Sequence, residues 1–167
     1  MVVILKEQVM KKIFKLLLCL SIISAAVSCG NESGPDVSSQ ITGEWHLVQM
    51  TGVSASAMPQ VYIDFRSDSS FELYQKVGDV MRYRKYTGTY TVSGTTVSGV
   101  YSDGIKWGGD KKTGVDYIVS FEGDRMSMTA QNESKEVCTY EKKALSESDK
   151  ADAELVTKSV DEGPRFL

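Results

Sequence analysis

Apolar and polar residues alternate in short runs over residues 41–142 of this 167-residue chain. Trp45 and Leu47, with Gln49, share one face of the first run. Val61, Ile63 and Phe65 share a face of the second, with Tyr62, Asp64 and Arg66 opposite. On the third, Phe71 and Leu73 face inward while Glu72 and Lys76 face outward. Further runs cover 81–92, 95–101, 115–121, 125–130 and 135–142. Alternation of period two marks a half-buried strand, because successive side chains leave opposite faces of a sheet. Ser67-Asp68-Ser69, Ser93-Gly94, Glu122-Gly123-Asp124 and Asn132-Glu133-Ser134 separate the runs as turns of hairpin length. No helical period of useful length occurs among them. The pattern predicts an all-β fold, an antiparallel up-and-down β-barrel of about eight strands, a number that closes around a filled or ligand-sized interior.

Both flanks break this pattern. At 146–167, Ser146 followed by Asp149 reads as a helix start, Ala151, Leu155 and Val156 form a thin apolar stripe, and Gly163-Pro164 ends it. The expectation is a short helix lying on the barrel or sealing one end; a disordered acidic tail is the alternative. Ahead of the strands, residues 30–40 are polar, contain Gly and Pro, and read as a flexible tether. Fully extended, they reach on the order of 35 Å. Before the tether come Lys11, Lys12 and Lys15, an apolar run over 16–27, then Ser28 and Cys29. A basic patch, a short apolar run and a small residue are the parts of a secretory signal. A membrane-spanning helix needs roughly 20 apolar residues, more than the run supplies. Met10 opens a well-formed signal, so residues 1–9 read as a start-site extension or as a longer basic region.

Ala26-Val27-Ser28-Cys29 resembles the lipobox of bacterial lipoproteins. The resemblance implies cleavage before Cys29 and acylation of that cysteine, so that the mature protein is anchored to a membrane through its acyl chains. One chain holds weakly and several hold almost irreversibly, each buried methylene contributing about 0.8 kcal/mol. Gly30, rather than aspartate, follows the cysteine. By resemblance to lipoprotein sorting in Gram-negative bacteria, this implies an outer-membrane location in the cell envelope, either periplasmic or surface-exposed. The expected organisation is a signal at 1–28, a lipidated cysteine and tether at 29–40, a barrel at 41–145 and a helix or tail at 146–167.

Charge narrows the partners. The chain has 19 Lys and Arg against 22 Asp and Glu, and four of those bases and one acid precede Cys29. The 139 residues from Cys29 onward therefore hold 15 bases and 21 acids, a net charge of −6. Nucleic acid, which demands clustered positive charge, is a poor partner for it. With Cys19 in the signal and Cys29 acylated, Cys138 stands alone and no intramolecular disulfide forms. A lone cysteine in a strand reads as a small buried hydrophobe.

Catalytic chemistry finds little support. His46 is the one histidine, and it alternates with Trp45 and Leu47, which places it on the outer face. One histidine supplies neither a Ser-His-Asp triad nor a two-histidine metal site. Asp64, Glu72, Asp116 and Glu141 fall on outer faces, although acids from different strands could still converge. The expectations are no enzyme, no cofactor and no metal. The glycine-rich stretch 104–114 lacks the order of a phosphate loop and reads as a long hairpin connection. Its Trp107 either lines a ligand entrance or folds down to cap the core. Arg84 shares the parity of Tyr86, Gly88, Tyr90 and Val92. It therefore faces inward towards an anion or acid, unless a bulge swaps the parity and returns it to solvent; the bulge is the favoured reading.

Gly43-Glu44-Trp45 at the opening of the first strand resembles the start of lipocalin and calycin barrels, where the tryptophan closes one end of the core. With the stretches 61–74, 85–90 and 97–104, the chain resembles the lipocalin-like domain of Bacteroidetes lipoproteins, and Pro164-Arg165-Phe166-Leu167 is similar to how such chains end. The resemblance brings a fold and no specific ligand. The expected function is the binding of a small apolar or amphipathic molecule between Trp45, Tyr86, Tyr90 and Tyr101, with Arg84 and Trp107 as further candidates. The alternative is a packed barrel whose loops engage another envelope protein or inhibit a hydrolase.

Overall fold

Inward-facing apolar residues at alternate positions close eight antiparallel strands on themselves. The computed structural model describes residues 36–157 and 165–167. The expected signal, the start-site extension, Cys19, the acylation site Cys29 and the Gly163-Pro164 stop lie outside the described residues. The strands are β1 (Gly43–Met50), β2 (Gln60–Phe65), β3 (Ser70–Lys76), β4 (Arg84–Ser93), β5 (Thr96–Tyr101), β6 (Tyr117–Glu122), β7 (Arg125–Ala130) and β8 (Val137–Lys142). Each pairs antiparallel with the next, and β1 pairs with β8 to close the barrel. This is the up-and-down topology that the alternation predicts. The described residues belong to one compact unit, Ser33–Leu167. No helix among them is long and apolar enough to cross a membrane.

Three local expectations change. Gln49 is exposed rather than inward, because the β1–β8 register shifts between Leu47 and Gln49. That bulge turns Met50 onto the core instead. Residues 36–40 are not free tether: a one-turn helix α1 (Ser38–Ile41) puts Val37 and Ile41 into the core, and the Val37 N–H donates to the Gly94 carbonyl. Two apolar residues four apart share a face of one turn, which suffices to stop the end of the barrel. The fourth strand begins at Arg84, and Met81 is left exposed in the β3–β4 loop.

The expected C-terminal helix exists but is short. In α2 (Glu147–Asp152), the Ser146 hydroxyl accepts from the Asp149 N–H at 3.1 Å. The predicted stripe does not form, because Leu155 belongs to the two-residue strand β9 (Glu154–Leu155), parallel to β4. Residues 145–153 cross the outside of the barrel, where Leu145 and Ala153 cover the outward Tyr62, Tyr74 and Tyr83. Lys150 fastens this crossing at one side through Glu44 at 2.7 Å.

Candidate functional site

The direction of the strands gives the barrel two ends. One holds the start of β1 and the β2–β3 and β4–β5 turns. Here Trp45 packs on Phe121 with ring centroids 5.6 Å apart, and its Nε1–H donates to the Ile41 carbonyl at 2.7 Å. Trp45 is therefore a cap at this end. Tyr90 also points this way, its hydroxyl donating to the Arg66 carbonyl in the β2–β3 turn.

The middle is filled. Trp107 is wholly buried, so of its two readings the core-capping one holds. Its segment turns back along β5: the Trp107 N–H donates to the Gly99 carbonyl, and Val100 bridges to Lys106. The indole lies directly on Gly99, where a Cβ would come within 2.1 Å of it. Gly88 leaves the same kind of space for Phe71. Phe71 stands 5.1 Å from Trp107 and 5.5 Å from Tyr101, centroid to centroid. The expected chamber between Trp45, Tyr86, Tyr90 and Tyr101 is thus occupied by aromatic side chains. The sequence signal for this was two glycines at inward strand positions, which mark close approach of another group.

The other end, the mouth, collects polar groups. Tyr86 and Tyr101 meet there with ring centroids 5.9 Å apart. Arg84 lies at the rim opposite Gln75, and the β3–β4 register runs without interruption from Arg84 to Thr89. The bulge is therefore absent, and Arg84 shares the inward face of Tyr86. Asp103, just past β5, accepts from both Arg165 terminal nitrogens at 3.1 and 2.6 Å. The guanidinium sits over the rings of Tyr86 and Tyr101, at 5.0 and 4.6 Å. Phe166 donates its N–H to the Gln75 side-chain oxygen at 3.3 Å, and the Tyr101 hydroxyl donates to the Leu167 backbone oxygen at 2.8 Å. Leu167 itself is buried in the core.

Charges at the mouth reinforce one another. The Arg165 hydrogen bonds hold the Asp103 carboxyl below its ordinary value against the opposing effect of burial. Burial works against the Arg165 charge, and the hydrogen bonds and charge of Asp103 outweigh it and raise that group. Burial pushes the Tyr101 hydroxyl well up, so it stays a neutral donor.

Beside this cluster lies a groove of about 640 Å³ between the β1–β2 and β3–β4 loops. Met50, Val53, Met58, Val77, Val80 and Phe166 give it apolar walls, and Gln60, Lys76 and Asp79 add polar groups. Two smaller grooves, of about 360 and 320 Å³, lie over β4 and β5 and share Thr89 and Val100.

Elsewhere the chemistry is quiet. His46 is stacked on Tyr62 outside the barrel, and burial first, then the charge of Lys143, lower its pKa. Burial and the adjacent Glu136 carboxylate push the Cys138 thiol up to about 12, which disfavours the reactive thiolate. Among the described residues no group of three His, Cys, Asp or Glu could hold a metal ion. The site residues that sequence reasoning missed are Gln75, Asp103 and the segment Arg165–Leu167. Gln75 has the inward parity of Phe71 and Leu73, and the last segment resembles how such chains end, but neither signal assigns a site role, since the mouth assembles from chain positions far apart.

A family model described as a lipocalin-like domain matches residues 41–128, just over half of the chain. No curated protein and no solved structure matches.

Proposed function

We propose, from the premise that the chain belongs to the lipocalin-like domain family, that it is a non-catalytic binding protein of a bacterial envelope. It takes a small apolar or amphipathic molecule at the mouth of its barrel. The carrying observation is the groove of about 640 Å³ at the mouth, where Met50, Val53, Met58, Val77, Val80 and Phe166 stand among Gln60, Lys76 and Asp79. Its volume falls within the roughly 300–1,000 Å³ of small-molecule sites. Met58, Val77 and Val80 offer desolvation, while Gln60 and Lys76 offer orientation. The lipobox-like Ala26-Val27-Ser28-Cys29 supports a tether to the membrane through acyl chains on Cys29, and Gly30 supports the outer membrane, periplasmic or surface-exposed. Ligand capture next to a bilayer fits a mouth that offers both apolar and polar walls.

The test is native mass spectrometry of the protein drawn from host membranes, together with titration by a hydrophobic fluorophore. A co-purifying small molecule is expected, and Met58→Glu should abolish fluorophore binding while the fold persists by circular dichroism. Labelled palmitate should enter the wild-type protein and not Cys29→Ala.

The filled interior favours a second reading. A solid barrel could use the β3–β4 loop, where Val77, Val80 and Met81 are exposed, to engage another envelope protein or inhibit a hydrolase. A protein that carries no small molecule and ignores the fluorophore would turn the choice that way.

A further inference from the structure

We propose that the mouth is built for a cation, an organic ammonium or guanidinium with an apolar tail, and that Arg165, Phe166 and Leu167 occupy its place in this structure. The inference rests on the binding reading above and names the ligand class. A carboxylate and two aromatic faces converge on one point. Asp103 grips the guanidinium with both oxygens, and the two side chains are each only 12% exposed. Tyr86 and Tyr101 present their rings to the same charge at 5.0 and 4.6 Å. The negative ring face attracts a cation, and a planar guanidinium adds the bidentate pair.

Next to the charge, the site continues as a polar step and an apolar end. The Gln75 side-chain oxygen and the Tyr101 hydroxyl hold the backbone of residues 166 and 167. Leu167 enters the core, and Phe166 lines the groove together with Met50, Met58, Val77 and Val80. A molecule with a cationic head and a hydrocarbon tail reproduces that order of contacts. An anionic head on the same tail would meet the Asp103 carboxylate as a like charge. The opposing feature is Arg84 on the inward face of β4, which would attract an anion instead. Any incoming cation must also displace Arg165, which is covalently tethered and therefore a strong competitor.

The experiment uses the full chain with octylguanidinium, octanoate and octanol, each followed by calorimetry below its micelle concentration. Octylguanidinium should bind about tenfold more tightly than octanoate, the ratio that a desolvated cation–π and carboxylate contact supports. Arg165→Ala should strengthen octylguanidinium binding about tenfold or more by vacating the site. Asp103→Asn should erase the preference between the two heads. Because Asp103→Asn could unfold the mouth, the gain in Arg165→Ala is the independent arm. Octanoate binding as well as or better than octylguanidinium, or no gain in Arg165→Ala, overturns the inference and leaves the binding reading standing. If none of the three probes binds either protein, the inference falls, while a co-purifying small molecule or fluorophore binding would still uphold the binding reading.

Discussion

At one end of the barrel Trp45 reaches back four residues to the Ile41 carbonyl, whereas at the other Arg165 crosses 62 residues of sequence to Asp103. The first closure is local and mostly apolar: Val37, Ile41 and Trp45 lie in the core, with Phe121 packed against them. The second is remote and polar, made by an ion pair, two hydrogen bonds and one buried leucine. An apolar cap exchanges poorly, since removing it exposes a large area at roughly 25 cal/mol per Å². A polar strap can be replaced by any molecule that offers the same charge and donors. On the proposed reading, the difference makes one end a floor and the other a doorway.

Breaking the floor should cost most. Trp45→Ala removes a core indole together with its hydrogen bond, and large aromatic truncations in cores cost about 3–5 kcal/mol. Urea denaturation should show a lower midpoint with an unchanged slope. Apolar-ligand binding per folded molecule should survive, because the site is at the other end. A result in which Trp45→Ala binds no ligand although folded would collapse the distinction.

A smaller loss is expected at the doorway. Arg165→Ala should cost about 1.5–3 kcal/mol, the range for hydrogen bonds to charged groups, as read from the same denaturation curve. A double-mutant cycle with Asp103→Ala should return most of that as coupling, while a cycle between Arg165 and Trp45 should return nearly none. Equal coupling in both cycles would mean that the ends are one unit.

The smallest and most selective perturbation is acid. Arg165 depresses Asp103 in the folded state, so the pair contributes in full above the ordinary carboxylate pKa of about 4. The contribution is lost as pH falls from there through the lower folded value. Amide exchange at Phe166 should therefore rise below about pH 4 while the indole N–H of Trp45, bonded to a carbonyl that does not titrate, keeps its protection. Parallel loss of both would erase the contrast.

The tryptophan of the floor was legible in sequence because its signal is short-range, a glycine and a tryptophan two residues apart at the head of an alternating strand; the helical turn that brings Val37 into the core was not, because residues 30–40 have the composition of a tether. Strand faces were legible for the same reason, and departed from the pattern only where the β1 bulge exposes Gln49. Trp107 was harder. Its stretch is rich in glycine and charge, the composition of an exposed loop, yet the indole is drawn inward because Gly88 and Gly99 leave room that Phe71 and Trp107 fill. Arg84 kept its parity because β3 pairs with it in unbroken register, a contact that only the neighbouring strand could decide.

The amino-acid sequence thus determined the eight strands of the barrel, the side that most strand residues present and the tryptophan at the closed end. These depend on residues a few positions apart, and alternation transmits that information along a single strand. Only the tertiary structure decided what stands in the mouth. Gln75, Tyr86, Tyr101, Asp103 and Arg165 come together because barrel closure brings the ends of β3, β4 and β5 to one rim. No one-dimensional period records a meeting across 62 or 91 residues, so the charge pair and the polar grip on Phe166 had to be seen in space.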